Sequence, residues 1–207
     1  AGEYTTTAAD GSDSTAYYPN QTDNYAQQHA QLSIHHRFTP QWSLSATAHY
    51  SHGAGYYEQY KRKKLSYWGL PYSHKAYGMY RKQLDNHFFG GVVAAKYISE
   101  PVDVQFGGAA NYYMGDHFGT LHYLEDSLIL PINYEYYRND AKKTDANIYA
   151  KANWRIINRA QEQLSLYADL QYRYVRYERN GMNDEDMTDL PLEVDFHFFN
   201  PKAGLTY

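Results

Sequence analysis

Residues 30–50 read AQLSIHHRFTPQWSLSATAHY. Ala30, Leu32, Ile34, His36 and Phe38 fall on one parity, and Gln31, Ser33, His35 and Arg37 on the other. After Thr39-Pro40-Gln41, the set Trp42, Leu44, Ala46, Ala48 and Tyr50 alternates with Ser43, Ser45, Thr47 and His49. Successive side chains of a strand point to opposite faces, so the stretch predicts two strands joined by a tight turn, each with one apolar and one polar side. Phe38, Trp42 and Tyr50 stand at the ends of the apolar side, with small and aliphatic residues between them. A transmembrane barrel needs that distribution, because its lipid-facing band is bounded by aromatic girdles.

Working outward, the pattern recurs. Phe89, Gly91, Val93, Ala95 and Tyr97 share one parity, and after Glu100-Pro101 the series Val102, Val104, Phe106, Gly108, Ala110 and Tyr112 follows. Ile148, Ala150, Ala152, Trp154 and Ile156, then Leu164, Leu166, Ala168, Leu170, Tyr172 and Tyr174, repeat it on either side of a short turn near Arg159. A last strand is expected over 194–207. The connections alternate short and long, with the long segments at 58–86, 115–145 and 178–193. Outer-membrane barrels have short periplasmic turns and longer extracellular loops, so the turns near Pro40, Pro101 and Arg159 are placed in the periplasm. The predicted fold is all-β: an antiparallel transmembrane β-barrel segment of about seven strands, with short periplasmic turns and long extracellular loops. Residues 1–24 are read as a polar extracellular loop or hairpin turning at Asp10-Gly11, and 25–207 as a partial barrel. Seven is an odd count for a single-chain bacterial barrel, so either further strands exist elsewhere or the N-terminal segment supplies an eighth.

Bulk composition bounds the function. The chain has 207 residues with 25 Tyr and no Cys. Mean hydropathy is -0.77. That average fits a barrel, in which only alternate residues of the crossing segments need be apolar. No run approaches the ~20 apolar residues of a spanning helix. The net charge of -4 and the isolated basic run Lys61-Arg62-Lys63-Lys64 do not suit nucleic acid. Absence of Cys removes disulfide frameworks and thiolate metal sites. Residues 1–4 lack the basic start and apolar centre of a signal peptide, so any export signal lies outside them.

Catalysis has no support in the motifs: there is no Gly-rich phosphate loop, GxSxG elbow or HExxH. Metal binding is not expected either, and no cofactor is implied. His35 and His36 are adjacent and point to opposite faces, and His49 and His52 differ in parity, so neither pair converges on one ion. The runs Glu125-Asp126 and Asp184-Glu185-Asp186 offer oxygen ligands in no recognised calcium spacing and read as solvated loops. The candidate ligand contacts are Tyr67, Trp68, Tyr72, Tyr77 and Arg81, in a segment that also carries Tyr80 and six lysines or arginines. Aromatic faces beside cations hold flat or anionic ligands by stacking and charge. The competing reading is interfacial or structural packing of tyrosines.

Four stretches carry a family resemblance. Gln21-Thr22-Asp23-Asn24-Tyr25, Phe38-Thr39-Pro40-Gln41-Trp42-Ser43-Leu44, Gly53-Ala54-Gly55-Tyr56-Tyr57-Glu58 and Phe199-Asn200-Pro201-Lys202-Ala203-Gly204-Leu205-Thr206-Tyr207 resemble the middle of the barrel in TonB-dependent outer-membrane receptors, particularly those of Bacteroidetes. The Asn-Pro-Lys-Ala-Gly-Leu stretch is the most specific of them. The resemblance implies a Gram-negative outer-membrane protein, in contact with outer-membrane lipid, belonging to a 22-stranded barrel with an N-terminal plug. It also implies non-catalytic uptake of a scarce nutrient, such as an iron chelate (siderophore or haem), driven through TonB. This chain shows no plug, no TonB box and fewer strands, so a partial barrel segment is expected, coupled to TonB only through a plug outside it. The alternative is a soluble all-β surface protein that binds glycan or acts as an adhesin.

Overall fold

The computed structural model describes residues 3–17, 21–183, 187–189 and 191–207. The acidic run at 184–186 lies outside them. A short hairpin pairs β1 (Glu3–Thr7) with β2 (Asp13–Tyr17). The remaining strands are β3 (Asp23–Arg37), β4 (Trp42–Lys64), β5 (Lys75–Ile98), β6 (Val102–Leu124), β7 (Tyr134–Asn158), β8 (Gln163–Gly181) and β9 (Leu192–Thr206). They form one seven-stranded antiparallel sheet in sequence order, open at β3 and β9.

The register makes the two faces explicit. Ile34, Ala46, Val93, Gly108, Ile148, Tyr172 and Phe199 are successive cross-strand partners, one from each strand. This apolar row is open to the surroundings: Ile34 is 61% exposed and Ile148 66%. One residue away on every strand, His35, Ser45, Ala94, Gly107, Tyr149, Gln171 and Asn200 form a row on the opposite, polar face. Polar groups there pair across strands, as in Ser33–Thr47 at 3.0 Å, His35–Ser45 at 2.9 Å and Gln105–Tyr149 at 2.8 Å.

Aromatics bound the apolar band. Trp42 packs on Tyr97 with ring centroids 4.9 Å apart, and Phe89 packs on Tyr112 at 5.5 Å. Trp42 and Tyr50, at the two limits on β4, are separated by about 26 Å along the strand before any tilt. At the roughly 40° tilt of outer-membrane barrel strands this projects to about 20 Å of height, comparable to their ~25 Å apolar band.

Short connections at 38–41, 99–101 and 159–162 lie at one end of the sheet, called here the Pro40 end. Thr39 Oγ1 closes the first by accepting hydrogen bonds from the backbone amides of Gln41 at 3.2 Å and Trp42 at 3.0 Å. The opposite, Trp68 end differs from the sequence expectation. The segments 58–86 and 115–145 are mostly strand, and the connections proper shrink to 65–74 and 125–133. β4 to β7 are 23–25 residues long, more than twice the roughly ten residues of a membrane crossing. Beyond the Tyr50–Phe89 row both faces carry polar and aromatic residues, so the alternation that reveals strands within the band is lost while the backbone ladder continues.

Candidate functional site

The Trp68 end has the principal buried hydrophobic cluster among the described residues. β4 ends in a single 3-10 turn, Leu65–Trp68, closed by Gly69 in the left-handed region at φ 70°. Backbone bonds from Leu65 to His74 and from Ser66 to Tyr72 fold the connection back on itself. Leu65 and Trp68 become fully buried against Tyr80, Leu121, Tyr136 and Tyr137. Leu128 and Leu130 from the next connection, and Met187 from the third, pack on the same cluster. His74 Nε2 stands 2.8 Å from Asp126 Oδ2 and ties the first two connections together.

Two register shifts shape this end. Gly119 pairs with Tyr137, but Thr120 pairs with Glu135, so Tyr136 has no partner opposite. A bulge of this kind re-aims side chains. Here it lets the consecutive residues Tyr136 and Tyr137 pack edge to face at 5.1 Å, their rings over Gly119, where a Cβ would come within 2.3 Å of Tyr137. The second shift skips His122 between Leu121 and Tyr123. His122 Nε2 lies 2.9 Å from Thr120 Oγ1, and burial, then the nearby Arg81 charge, lowers its pKa below the ordinary value.

Directly below the cluster, the polar face holds a cleft of about 400 Å³. Tyr25, Tyr57, Tyr137 and Tyr177 line it together with Lys82, Leu84, His117, Asn139 and Arg179, drawn from every strand between β3 and β8. Tyr137 belongs both to the cleft wall and to the cluster above. Tyr25 lies over two glycines: a Cβ at Gly53 would stand 2.1 Å from its hydroxyl, and one at Gly55 2.9 Å from its ring. Burial pushes the phenols of Tyr80 and Tyr136 well above the usual range, so both stay neutral at any physiological pH. Tyr80 donates to Gln59 Oε1 at 2.8 Å. Tyr60, raised to about 12 by burial and then by Glu125, donates to that carboxylate at 3.2 Å.

The five residues singled out in the sequence separate into three places. Tyr67 and Trp68 lie together, with Tyr67 6.0 Å from both Trp68 and Tyr80, and the Lys63 ammonium 4.8 Å over the Tyr67 ring. Tyr72 is 44% exposed beside His74 at the tip. Tyr77 and Arg81 are on the opposite face. Tyr77 stacks on Tyr60 at 5.3 Å, while Arg81 donates to the buried Glu58 at 2.8 Å and lies 4.2 Å over the Tyr56 ring. The tyrosine cleft was not read from the sequence, because its members are spread from residue 25 to residue 179 and meet only through the register. His49 and His52 face apart, as parity within one strand predicts, but the register sets His52 beside Asp85 and His87 of the neighbouring strand.

An open antiparallel sheet with a lipid-compatible face, a polar face and aromatic limits defines a segment of a transmembrane β-barrel. The family model for the TonB dependent receptor-like β-barrel matches residues 1–207, and the chain belongs to that family. The family is one of outer-membrane transport rather than catalysis, with a nutrient ligand and TonB as its interaction partners. Comparison with curated proteins returns no match.

Proposed function

We propose that this chain forms part of the wall of a Bacteroidetes-type outer-membrane receptor that admits an iron chelate, a siderophore or haem. In this reading the apolar face meets lipid, the polar face lines the path, the Pro40 end is periplasmic and the Trp68 end is outside. The edges of β3 and β9 are paired by further barrel strands, since unpaired backbone groups do not persist in hydrocarbon. Gating belongs to a plug that contacts TonB.

The observation that carries the reading is the tyrosine cleft beneath the converged connections, with Lys82 and Arg179 at its margin. Phenol rings offer stacking surfaces and the two cations suit an anionic, aromatic chelate such as a ferric catecholate. Tyr72, exposed at the tip, makes the first contact. Tyr67 and Trp68 set the shape of the entrance, while Tyr77 and Arg81, on the opposite face of the sheet, brace β5 from outside through Tyr60 and Glu58.

The test is a titration of ferric catecholate and of haem into the protein in detergent, followed by tyrosine and tryptophan fluorescence. Saturable quenching by one of them, weakened by Lys82→Ala with Arg179→Ala, is expected. Saturable binding of neutral oligosaccharides with no response to either chelate would replace the iron reading with a glycan one.

A further inference from the structure

The apolar band ends at the cross-strand pair Tyr50–Phe89. The next pair on the same face, two residues further along each strand, is His52 opposite His87. Asp85 follows on β5, diagonal to His52. His52 Nε2 lies 2.8 Å from Asp85 Oδ1, and His87 Nε2 lies 3.8 Å from the same oxygen. One ligand atom from each residue falls within 4.8 Å of the others. The two imidazoles are stacked with centroids 4.6 Å apart and planes 20° from parallel.

A histidine–aspartate hydrogen bond alone accounts for one imidazole and one carboxylate. It does not account for the second imidazole, which turns its Nε2 toward the same oxygen. The other nitrogen of His87, Nδ1, is held 2.8 Å from the Tyr50 hydroxyl. That is the outer partner a metal-ligating histidine commonly has: it fixes the ring and leaves Nε2 for the ion. The hydroxyl accepts from Nδ1–H when Nε2 is a ligand, and donates to Nδ1 when it is not. Asp116, opposite Asp85 on β6, is taken up by Arg138 at 3.2 Å, so the acidic ligand of the group is Asp85.

We propose that His52, Asp85 and His87 form a binding site for a divalent transition-metal ion of the zinc class, on the lipid-facing side immediately beyond the Tyr50–Phe89 aromatic row. Metal–nitrogen bonds of about 2.0–2.1 Å place tetrahedral ligands nearer together than the widest separation here, a change that side-chain rotation supplies on this accessible surface. Two imidazoles with one carboxylate select zinc, copper or nickel over magnesium and calcium, which prefer oxygen throughout. With three protein ligands, a tetrahedral ion keeps one position for water. Since the ligands come from two strands, the ion cross-links β4 to β5 where the sheet leaves the lipid. The site rests on the pairing of these two strands and is independent of the transport reading.

The test uses cobalt as a spectroscopic probe on the purified protein in detergent, followed by zinc. One equivalent of cobalt giving visible d–d bands, displaced by zinc, is expected. His52→Ala or His87→Ala abolishes the signal, Tyr50→Phe weakens binding by about tenfold, and His197→Ala leaves it unchanged. On the unaltered protein, zinc should protect His52 and His87, but not His197, from diethyl pyrocarbonate, read by mass spectrometry. Absence of saturable binding, or binding that survives both His52→Ala and His87→Ala, or equal modification with and without zinc, would leave only ordinary hydrogen bonds and overturn the site.

Discussion

The six-membered ring of Trp68 occupies the space over Gly78, where a Cβ would stand 2.6 Å from Cη2 and 3.0 Å from Leu121 Cδ1. The ring is completely buried and has nowhere to move. Gly78→Ala therefore forces the 3-10 turn off the cluster, at about 1–3 kcal/mol for an overpacked core. The expected result is faster proteolytic cleavage within 65–74, with the membrane-embedded portion still protected. Unchanged cleavage would mean that the turn is not held by this contact.

Gly53 presents the same kind of clash with the opposite consequence. Its added Cβ would meet the Tyr25 hydroxyl at 2.1 Å, but Tyr25 is 52% exposed and free to swing. Gly53→Ala should leave heat resistance on gels unchanged while moving Tyr25 out of the cleft. Weaker quenching by the bound chelate, with no shift in thermal midpoint, is the outcome that places Tyr25 in the ligand path.

Facing is testable at two adjacent residues of β7. Ile148 stands in the mid-height apolar row and Asn147 on the polar face. Ile148→Arg should cost about 2–4 kcal/mol of folding stability in lipid, since the charge falls near the bilayer midplane. Asn147→Arg should cost much less. Equal losses, measured by denaturant titration in lipid vesicles, would reverse or abolish the assigned lipid face.

The bulged His122 gives a pH dependence of defined sign. Its folded-state pKa lies below the ordinary 6.5, through burial first and the Arg81 charge second, with Glu58 opposing. The unfolded segment thus takes up a proton at higher pH than the folded one. Stability is fully present above about pH 6.5 and is lost progressively as pH falls toward the folded value. Hydrogen exchange at 119–124 should quicken between pH 7.5 and 5, after correction for the intrinsic rate. His122→Gln should remove the slope.

How much of this was legible in the sequence follows from where the environment imposes a rule. Within the band, lipid on one side and water on the other force strict alternation, so 30–50 yields its faces and its turn by inspection. Past Tyr50 that contrast disappears. Lys61-Arg62-Lys63-Lys64 reads as a solvated loop although it is the end of β4. Trp68 reads as a candidate ligand contact or a packed aromatic, and its burial depends on a glycine ten residues away. The tyrosine cleft and the His52–Asp85–His87 group required the register between strands, which no single stretch encodes.

The long overhang of β4 to β7 has an evolutionary consequence. On the proposed orientation, ten to fourteen residues of each strand stand beyond the aromatic row, outside the bilayer. Those residues are not free to drift as loop residues are. A single insertion shifts the pairing and exchanges the faces of everything beyond it. Insertions and deletions are therefore best accommodated at the connections 65–74 and 125–133, while the overhang tolerates substitution. Length variation in such a receptor belongs to the short connections, on strands whose height is fixed by their pairing.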